Sequence, residues 1–212
     1  MHSQLPGNPT EPRSPSKCLC RGRSSPLSQI LERASSRGLI WHIMLKVSVL
    51  KGIVAFDSVH GSTRQAAEAI AEQARADGHE VELVWVKEKK GSEVAGDFLF
   101  IGSPTRAGRM TKDTKRFMEN LNVDQWKGKS IVTFDTVGPL SKDVEKRKSM
   151  LMTIKEDAKT AATSMQKLCR ERGLDVHEKA LHLAVTGLWG PLAPEGPEMA
   201  KEFTHGFLAR IG

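Results

Sequence analysis

The chain places a loop of small polar residues directly after a short apolar run. The run is KGIVAFD, residues 51–57, and the loop is SVHGST, residues 58–63. An alanine-rich segment with helical spacing, residues 64–77, follows at once. The first backbone amides of such a helix lack an internal partner and carry partial positive charge, so a phosphate binds well there. The loop is therefore a candidate phosphate site, although a helix cap and a glycine turn account for the same residues.

The ligand is not predicted to be ATP or NAD. The sequence contains neither GxGxxG nor GxxxxGK[ST], the loops that hold the phosphates of those nucleotides. Instead, the hydroxyls of Ser58, Ser62 and Thr63 can donate hydrogen bonds, and Gly61 lets the backbone turn closely around an anion. His60 either bonds the phosphate or helps to shape the turn.

Short apolar runs alternate with amphipathic segments over the rest of the chain. The further predicted strands are EVELVWV (80–86), DFLFIG (97–102), KSIVTFD (129–135) and ALHLAV (180–185). Between and after them lie a helix capped by Thr111, one long helical segment over about residues 142–172, and a last helix carrying Phe203 and Phe207. This alternation without tight hairpins predicts a three-layer α/β domain with a parallel sheet flanked by helices.

Two more glycine-containing polar loops follow predicted strands. GSPTRAGRMT (102–111) comes after the third strand, and DTVGPLSK (135–142) comes after the fourth. The carboxyl ends of parallel strands meet at one edge of the sheet, where ligands bind. The three loops together predict a ligand with its phosphate at the first loop and a flat body across the other two.

At this point the chain resembles the flavodoxin-like family of FMN proteins. SVHGST is similar to the family's phosphate loop S/T-x-T-G-x-T, with His60 in place of a threonine, and GSPTRAGR is similar to its Gly-Ser-Pro loop. GSP-x-x-x-GR and the late TGLWGPL look most like the branch that includes menaquinone-dependent protoporphyrinogen oxidase. The resemblance covers about residues 50–211 and implies a five-stranded sheet in the order 2-1-3-4-5.

The resemblance also implies one FMN, held without a covalent bond, and a set of residues around it. Ser58, His60, Gly61, Ser62 and Thr63, with Val59 between them, would cradle the phosphate. The isoalloxazine ring would be bordered by the backbone of two segments, Pro104, Thr105, Arg106, Ala107 and Gly108 in one and Thr136, Val137 and Gly138 in the other. The implied function is electron transfer between a reduced donor and a quinone, a porphyrinogen-like substrate or a protein.

The chain departs from this family in two respects. The loops expected around the flavin contain no Phe or Trp to stack on the ring, and the protein has no tyrosine. The ring would lie against Met110, Leu140, backbone or a residue brought by a partner subunit. The acidic surface usual in electron-carrying flavodoxins is also missing. Two readings therefore stay open, an FMN-dependent oxidoreductase and a non-catalytic binding module that keeps the fold without flavin.

Several single residues have a functional and a simpler structural interpretation. Arg106 and Arg109 could stabilise reduced flavin or hold an acidic substrate, but solvated loop arginines are the simpler interpretation. Trp189 is predicted to anchor a packed loop rather than to cover the site. Asp57 and Asp135 stand at strand ends and could position loop amides. No nucleophile and base pair is identified, which is typical of flavin chemistry because the cofactor performs the transfer.

Other charged residues and thiols are predicted to be structural or solvated. Lys146-Arg147-Lys148 is interpreted as the solvated start of a helix. No metal site is predicted, because the cysteines lack a second pair with ligand spacing and the histidines are scattered along the chain. The histidines interpreted as surface or edge residues are His79, His177, His182 and His205. Cys18, Cys20 and Cys169 are predicted free thiols, which favours the cytoplasm.

The charge distribution argues against a nucleic-acid partner. The formal net charge is +7 over 212 residues, but residues 1–50 contain seven basic against two acidic residues, and residues 51–212 contain 25 against 23. Residues 1–43 are predicted to be a disordered or non-native extension of a domain at 44–212.

No apolar run is long enough for an integral membrane protein. The expected partner is a redox protein or a small-molecule electron acceptor, and a homo-oligomer stays open.

Overall fold

The computed structural model describes residues 48–154, 158–187 and 190–212, within a unit that spans Val47–Gly212. The predictions for residues 1–43 and for Trp189 lie outside the described residues. The elements follow one another as β1 (Lys51–Phe56), α1 (Ser62–Ala76), β2 (Glu80–Trp85), a 3-10 turn (Gly91–Glu93), β3 (Phe98–Pro104), α2 (Lys112–Glu119), α3 (Val123–Trp126), β4 (Ser130–Val137), α4 (Val144–Met152), α5 (Ala161–Glu171), β5 (Leu181–Ala184) and α6 (Gly196–Ile211).

The five strands form one parallel sheet in the order β2-β1-β3-β4-β5. This order confirms the predicted fold, and the strand at each edge pairs on one side only. Two strands, β3 and β4, end two residues later than the sequence predicts, and their pairing continues to Pro104 opposite Thr136. Residues 136–137, predicted only as loop, are therefore the end of β4. The other three strands each end one residue earlier than predicted.

Helices cover both faces of the sheet. One core cluster joins α1 and α6 to the sheet and includes the edge-to-face rings of Phe98, Phe100 and Phe207. The other cluster lies under α2, α3 and α5, with the fully buried Trp126 and Met165. The near-continuous apolar runs of the central strands are explained by this burial on both sides.

The prediction of a single helix over residues 142–172 is wrong. The structure has two helices there, α4 ending at Met152 and α5 beginning at Ala161. A new helix start is favoured at Thr160, because its side-chain oxygen accepts a hydrogen bond from the backbone amide of Thr163.

Arg147 is also not the solvated residue that the sequence suggested. Its side chain is 4% exposed, and its guanidinium donates to both carboxylate oxygens of Glu195 at 2.5 and 2.8 Å. It also donates to the carbonyl oxygens of Ser141 and Lys142 at 2.7 and 3.1 Å. The hydrogen bonds from Arg147 lower the pKa of Glu195. This pair fastens α4, and the loop that leads into it, to the start of α6.

Cys169 is a buried free thiol, and burial raises its pKa to about 12.

Among the described helices, none has the length and apolar character needed to cross a lipid bilayer.

Candidate functional site

The three predicted loops meet at one pocket beyond the carboxyl ends of β1, β3 and β4. The cavity has a volume of about 380 Å³. All the predicted site residues line it except Gly61, Gly108 and Val137. The lining comprises Ser58, Val59, His60, Ser62, Thr63, Pro104, Thr105, Arg106, Ala107, Thr136 and Gly138, together with Val185 and Gly190, which the sequence did not indicate.

The pocket lies at the start of α1, where backbone amides are left for a ligand. Gly61 precedes the helix with φ of 90°, and no side chain caps it. By contrast, α2, α3, α4 and α5 each begin with a side chain that accepts a backbone amide hydrogen bond. The first turn of α1 also contains no acidic residue. The end of this helix therefore presents partial positive charge to the pocket.

The hydroxyls of this loop are already engaged within the protein. Ser62 donates to the carbonyl oxygen of Gly190 at 2.7 Å, and Ser58 accepts from the amide of Gly61 at 3.1 Å. The hydroxyl oxygens of Thr63 and Thr136 lie 3.0 Å apart. The sequence predicted that the hydroxyls of Ser58, Ser62 and Thr63 can donate to a ligand. In the structure the hydroxyl of Ser62 does not do so, because its single hydrogen is already donated to Gly190.

A buried carboxylate behind the pocket holds Thr105, one of the lining residues, in place. Asp135 is fully buried and accepts hydrogen bonds from the hydroxyl of Thr105 at 3.0 Å and the amide of Ala162 at 2.9 Å. Its other oxygen lies 2.8 Å from Nδ1 of His182. Thr105 in turn accepts from the amide of Ala161 at 2.8 Å. The loop after β3 is therefore fixed to the start of α5 and to β5.

Sequence reasoning missed the partner of Asp135. His182 was interpreted as a surface or edge residue, but its side chain is 10% exposed and bonded to Asp135. The signal was available in the strand order, because parallel register places His182 directly beside Asp135. His79, interpreted in the same way, is buried at 8% exposure against Phe98.

Other predicted residues are not part of the pocket wall. Arg109 and Asp57 do not line it, and Asp57 is buried, with its Oδ1 atom 3.8 Å from Nζ of Lys87. Met110 and Leu140, proposed to lie against a ring, pack onto core clusters instead. Among the lining residues that the structure describes, none is Phe or Trp.

Comparison with known proteins identifies the family of the chain. The model of the flavodoxin domain matches residues 53–181. A flavodoxin of Aquifex aeolicus (strain VF5) is 37% identical over 93 residues, which are 42% of this chain and 50% of the relative. The chain thus spans about half the length of that curated relative.

Solved flavodoxins share the fold at low sequence identity. A flavodoxin from the domain Archaea has a TM-score of 0.58 at 19% identity, covering 76% of this chain and 98% of that one. Oxidised flavodoxin 1 from Bacillus cereus has a TM-score of 0.56 at 19% identity, covering 76% and 99%. At such identities the likeness concerns the fold alone. The match to the family model covers more than half of this chain, which therefore belongs to the flavodoxin domain family, a family of FMN proteins.

Proposed function

We propose that this chain binds one FMN in the pocket at residues 58–63, 104–108 and 136–138, and that it transfers electrons through it. The observation that carries the proposal is the convergence of an uncapped helix start with two further strand ends on one cavity. Mononucleotides bind at this position in doubly wound sheets, with the phosphate at a helix start.

The phosphate end fits the residues present. Ser62 and Thr63, the first two residues of α1, line the cavity, so this end of the helix is open to an anion. Hydrogen bonds from backbone amides to a phosphate are charge-assisted and need no cationic side chain. His60 lines the same part of the pocket and adds a group that can bond to phosphate oxygen.

The ring end fits a flat body held by backbone and small side chains. The turn after β3 carries Thr105, Arg106 and Ala107 on one side, and Gly138 lies on the other. A Cβ on Gly138 would lie 2.7 Å from Val185, so a larger residue would close this side. The bonds of Thr105 to Asp135 and Ala161 hold the first wall rigid.

Bound FMN would supply the capacity to accept and release electrons. The residues of the chain would orient it and set the charge around it. Arg106 faces the pocket from the ring side, where a guanidinium stabilises negative charge. The proposed site of action is the cytoplasm.

The acceptor follows from the loop sequences rather than from the pocket. GSP-x-x-x-GR and TGLWGPL resemble most the branch that contains menaquinone-dependent protoporphyrinogen oxidase. On that ground we propose a quinone, a porphyrinogen-like substrate or a protein as the acceptor.

A non-catalytic module is the second candidate, and one observation favours it. The described pocket lining has no Phe or Trp to stack on a flavin. In that case the pocket keeps the fold's phosphate loop while FMN fails to bind.

Titration with FMN, followed by quenching of flavin fluorescence, separates the two candidates. We expect saturable binding by the wild type, a yellow product and bleaching with dithionite. Gly61→Asp adds a negative charge to the loop that leads into the first turn of α1 and should weaken phosphate binding by about 100-fold. Gly61→Asn is the matched control, because it has the same shape and backbone strain without the charge. A colourless protein that does not quench FMN would establish the second candidate.

A further inference from the structure

A tight hairpin at the mouth of the pocket presents two arginines side by side. The amide of Arg106 donates to the carbonyl oxygen of Arg109, and the amide of Arg109 donates back, both at 3.0 Å. The two residues between them, Ala107 and Gly108, have φ of 48° and 73°. This is the geometry of a two-residue hairpin turn with left-handed central residues. Residues directly opposite in such a pair direct their side chains to the same face of the ribbon.

The charges of this hairpin are not compensated within the part of the chain that the structure describes. Arg106 and Arg109 are exposed, and neither guanidinium forms an ion pair or a hydrogen bond there. The next acid along the chain, Asp113, is already paired with Arg116 at 2.9 Å and Lys87 at 3.7 Å. Like charges directly opposite each other destabilise a strand pair. An anionic partner would remove that cost.

A third cation extends the patch beyond the pocket. Lys159 is exposed, and its Cβ atom lies 2.9 Å from the position that a Cβ on Gly108 would take. We call Arg106, Arg109 and Lys159 the cationic rim. Of these, Arg106 alone lines the cavity, whereas Arg109 and Lys159 lie outside the lining. A small anion inside the pocket would meet one charge, whereas a surface laid across the mouth would meet all three.

We propose that the cationic rim docks an acidic protein that exchanges electrons with the site. This proposal rests on the proposed function, since it needs a flavin whose ring lies beside the turn at residues 104–108. Attraction between opposite charges would raise the rate of encounter and orient the partner over the ring, and salt would weaken both effects.

The kinetic test compares two small electron acceptors of opposite charge. FMN-loaded protein is reduced with dithionite, freed of excess reductant, and mixed with plastocyanin, an acidic copper protein, or cytochrome c, a basic haem protein. Each Cu(II) or Fe(III) accepts one electron, so two acceptors oxidise one fully reduced flavin, whose protons pass to solvent. We expect the plastocyanin rate to fall about tenfold between about 20 and about 200 mM NaCl, and the cytochrome c rate to stay level or rise.

The variant test removes the rim charges together. Arg106→Gln/Arg109→Gln/Lys159→Gln should lower the plastocyanin rate at low salt by about tenfold and flatten its salt dependence. The matched control is Lys51→Gln/Lys127→Gln/Lys179→Gln, which removes the same number of positive charges. These lysines are exposed and lie at or just before the starts of β1, β4 and β5, whereas the pocket lies at the carboxyl ends of the strands. Equal rates for the two triple variants would overturn the proposal. A rim-dependent salt effect with ferricyanide but not with plastocyanin would also overturn it, in favour of a small-anion site.

A binding test keeps the proposal separate from flavin loading. Loading is measured first from the absorption spectrum, so failure of the proposed function is visible before any acceptor is added. Reduced plastocyanin is then added to the ¹⁵N-labelled protein loaded with oxidised FMN. We expect amide shifts at residues 105–110 and 159–162 that vanish in the rim variant. Shifts confined to other surfaces, or no shifts, would overturn the proposal.

Discussion

The hydroxyl of Ser62 donates a hydrogen bond across 2.7 Å to the carbonyl oxygen of Gly190, 128 residues further along the chain. This bond fastens the first turn of α1 to the segment after β5. The hydroxyl hydrogen is therefore used within the protein, and backbone amides are left as the principal donors to a ligand at this loop.

Ser62→Ala should therefore lower the stability of the protein more than its affinity for FMN. We expect its free energy of unfolding in urea to fall by about 1 kcal/mol. The affinity for FMN should fall by less than it does in Gly61→Asp. A 100-fold loss of FMN affinity with an unchanged urea midpoint would show that the Ser62 hydroxyl serves the ligand directly.

Asp135→Asn tests the buried carboxylate that holds the ring-side wall. An amide accepts with only one of its ends, so its nitrogen would face either the two donors Thr105 and Ala162 or Nδ1 of His182, which would then have to change tautomer. We expect the free energy of unfolding to fall by about 2 kcal/mol and FMN affinity to fall with it. Asp175→Asn is the control, since Asp175 is exposed and accepts from the amide of Gly128 at 3.0 Å. Similar losses in the two variants would contradict the role given to Asp135.

The turn at residues 107 and 108 predicts opposite effects for two small substitutions. Ala107 has φ of 48°, which a side chain disfavours, so Ala107→Gly should raise the free energy of unfolding by about 0.5 kcal/mol. Gly108→Ala should lower it by about 2 kcal/mol, because the new Cβ would be strained at φ of 73° and would lie 2.9 Å from Lys159. Urea unfolding of both variants measures the signs, and a stabilising Gly108→Ala would refute the turn geometry.

The Arg147 and Glu195 pair predicts a pH dependence of stability. Hydrogen bonds from Arg147 lower the pKa of Glu195 in the folded state. A carboxylate with a lowered folded pKa contributes stability above its unfolded pKa of about 4.3, and that stability is lost as the pH falls through the folded value. The gap in urea midpoint between the wild type and Glu195→Gln should therefore be largest near neutral pH and close in acid.

The control for this pair is an exposed one. Lys167 and Glu171 lie 3.8 Å apart on α5, with 78% and 57% of their side chains exposed. Glu171→Gln should change the urea midpoint little at any pH. If Glu171→Gln lowers the urea midpoint at neutral pH as much as Glu195→Gln does, burial of the Arg147 and Glu195 pair adds no stability.

Local pattern predicted the sheet and the position of the site, whereas long-range pairing decided the details. The apolar run 51–57, the polar loop and the alanine-rich helix are contiguous, so periodicity and helix-end chemistry sufficed for them. The alternation of strands and helices predicted that the strands are parallel, and the family resemblance predicted their order in the sheet. The bond from Ser62 to Gly190 and the burial of Arg147 join residues far apart in sequence, and no local pattern encodes them. The break between α4 and α5 was hidden because apolar spacing continues across it.

Comparison of FMN with riboflavin tests the central claim most directly. The two ligands share the ring and the ribityl chain and differ in the phosphate. If the amides at the start of α1 hold that phosphate, FMN should bind at least about 100-fold more tightly than riboflavin in fluorescence titrations with the wild type. Equal affinities for the two ligands would contradict the account, since the helix start would then contribute nothing to binding.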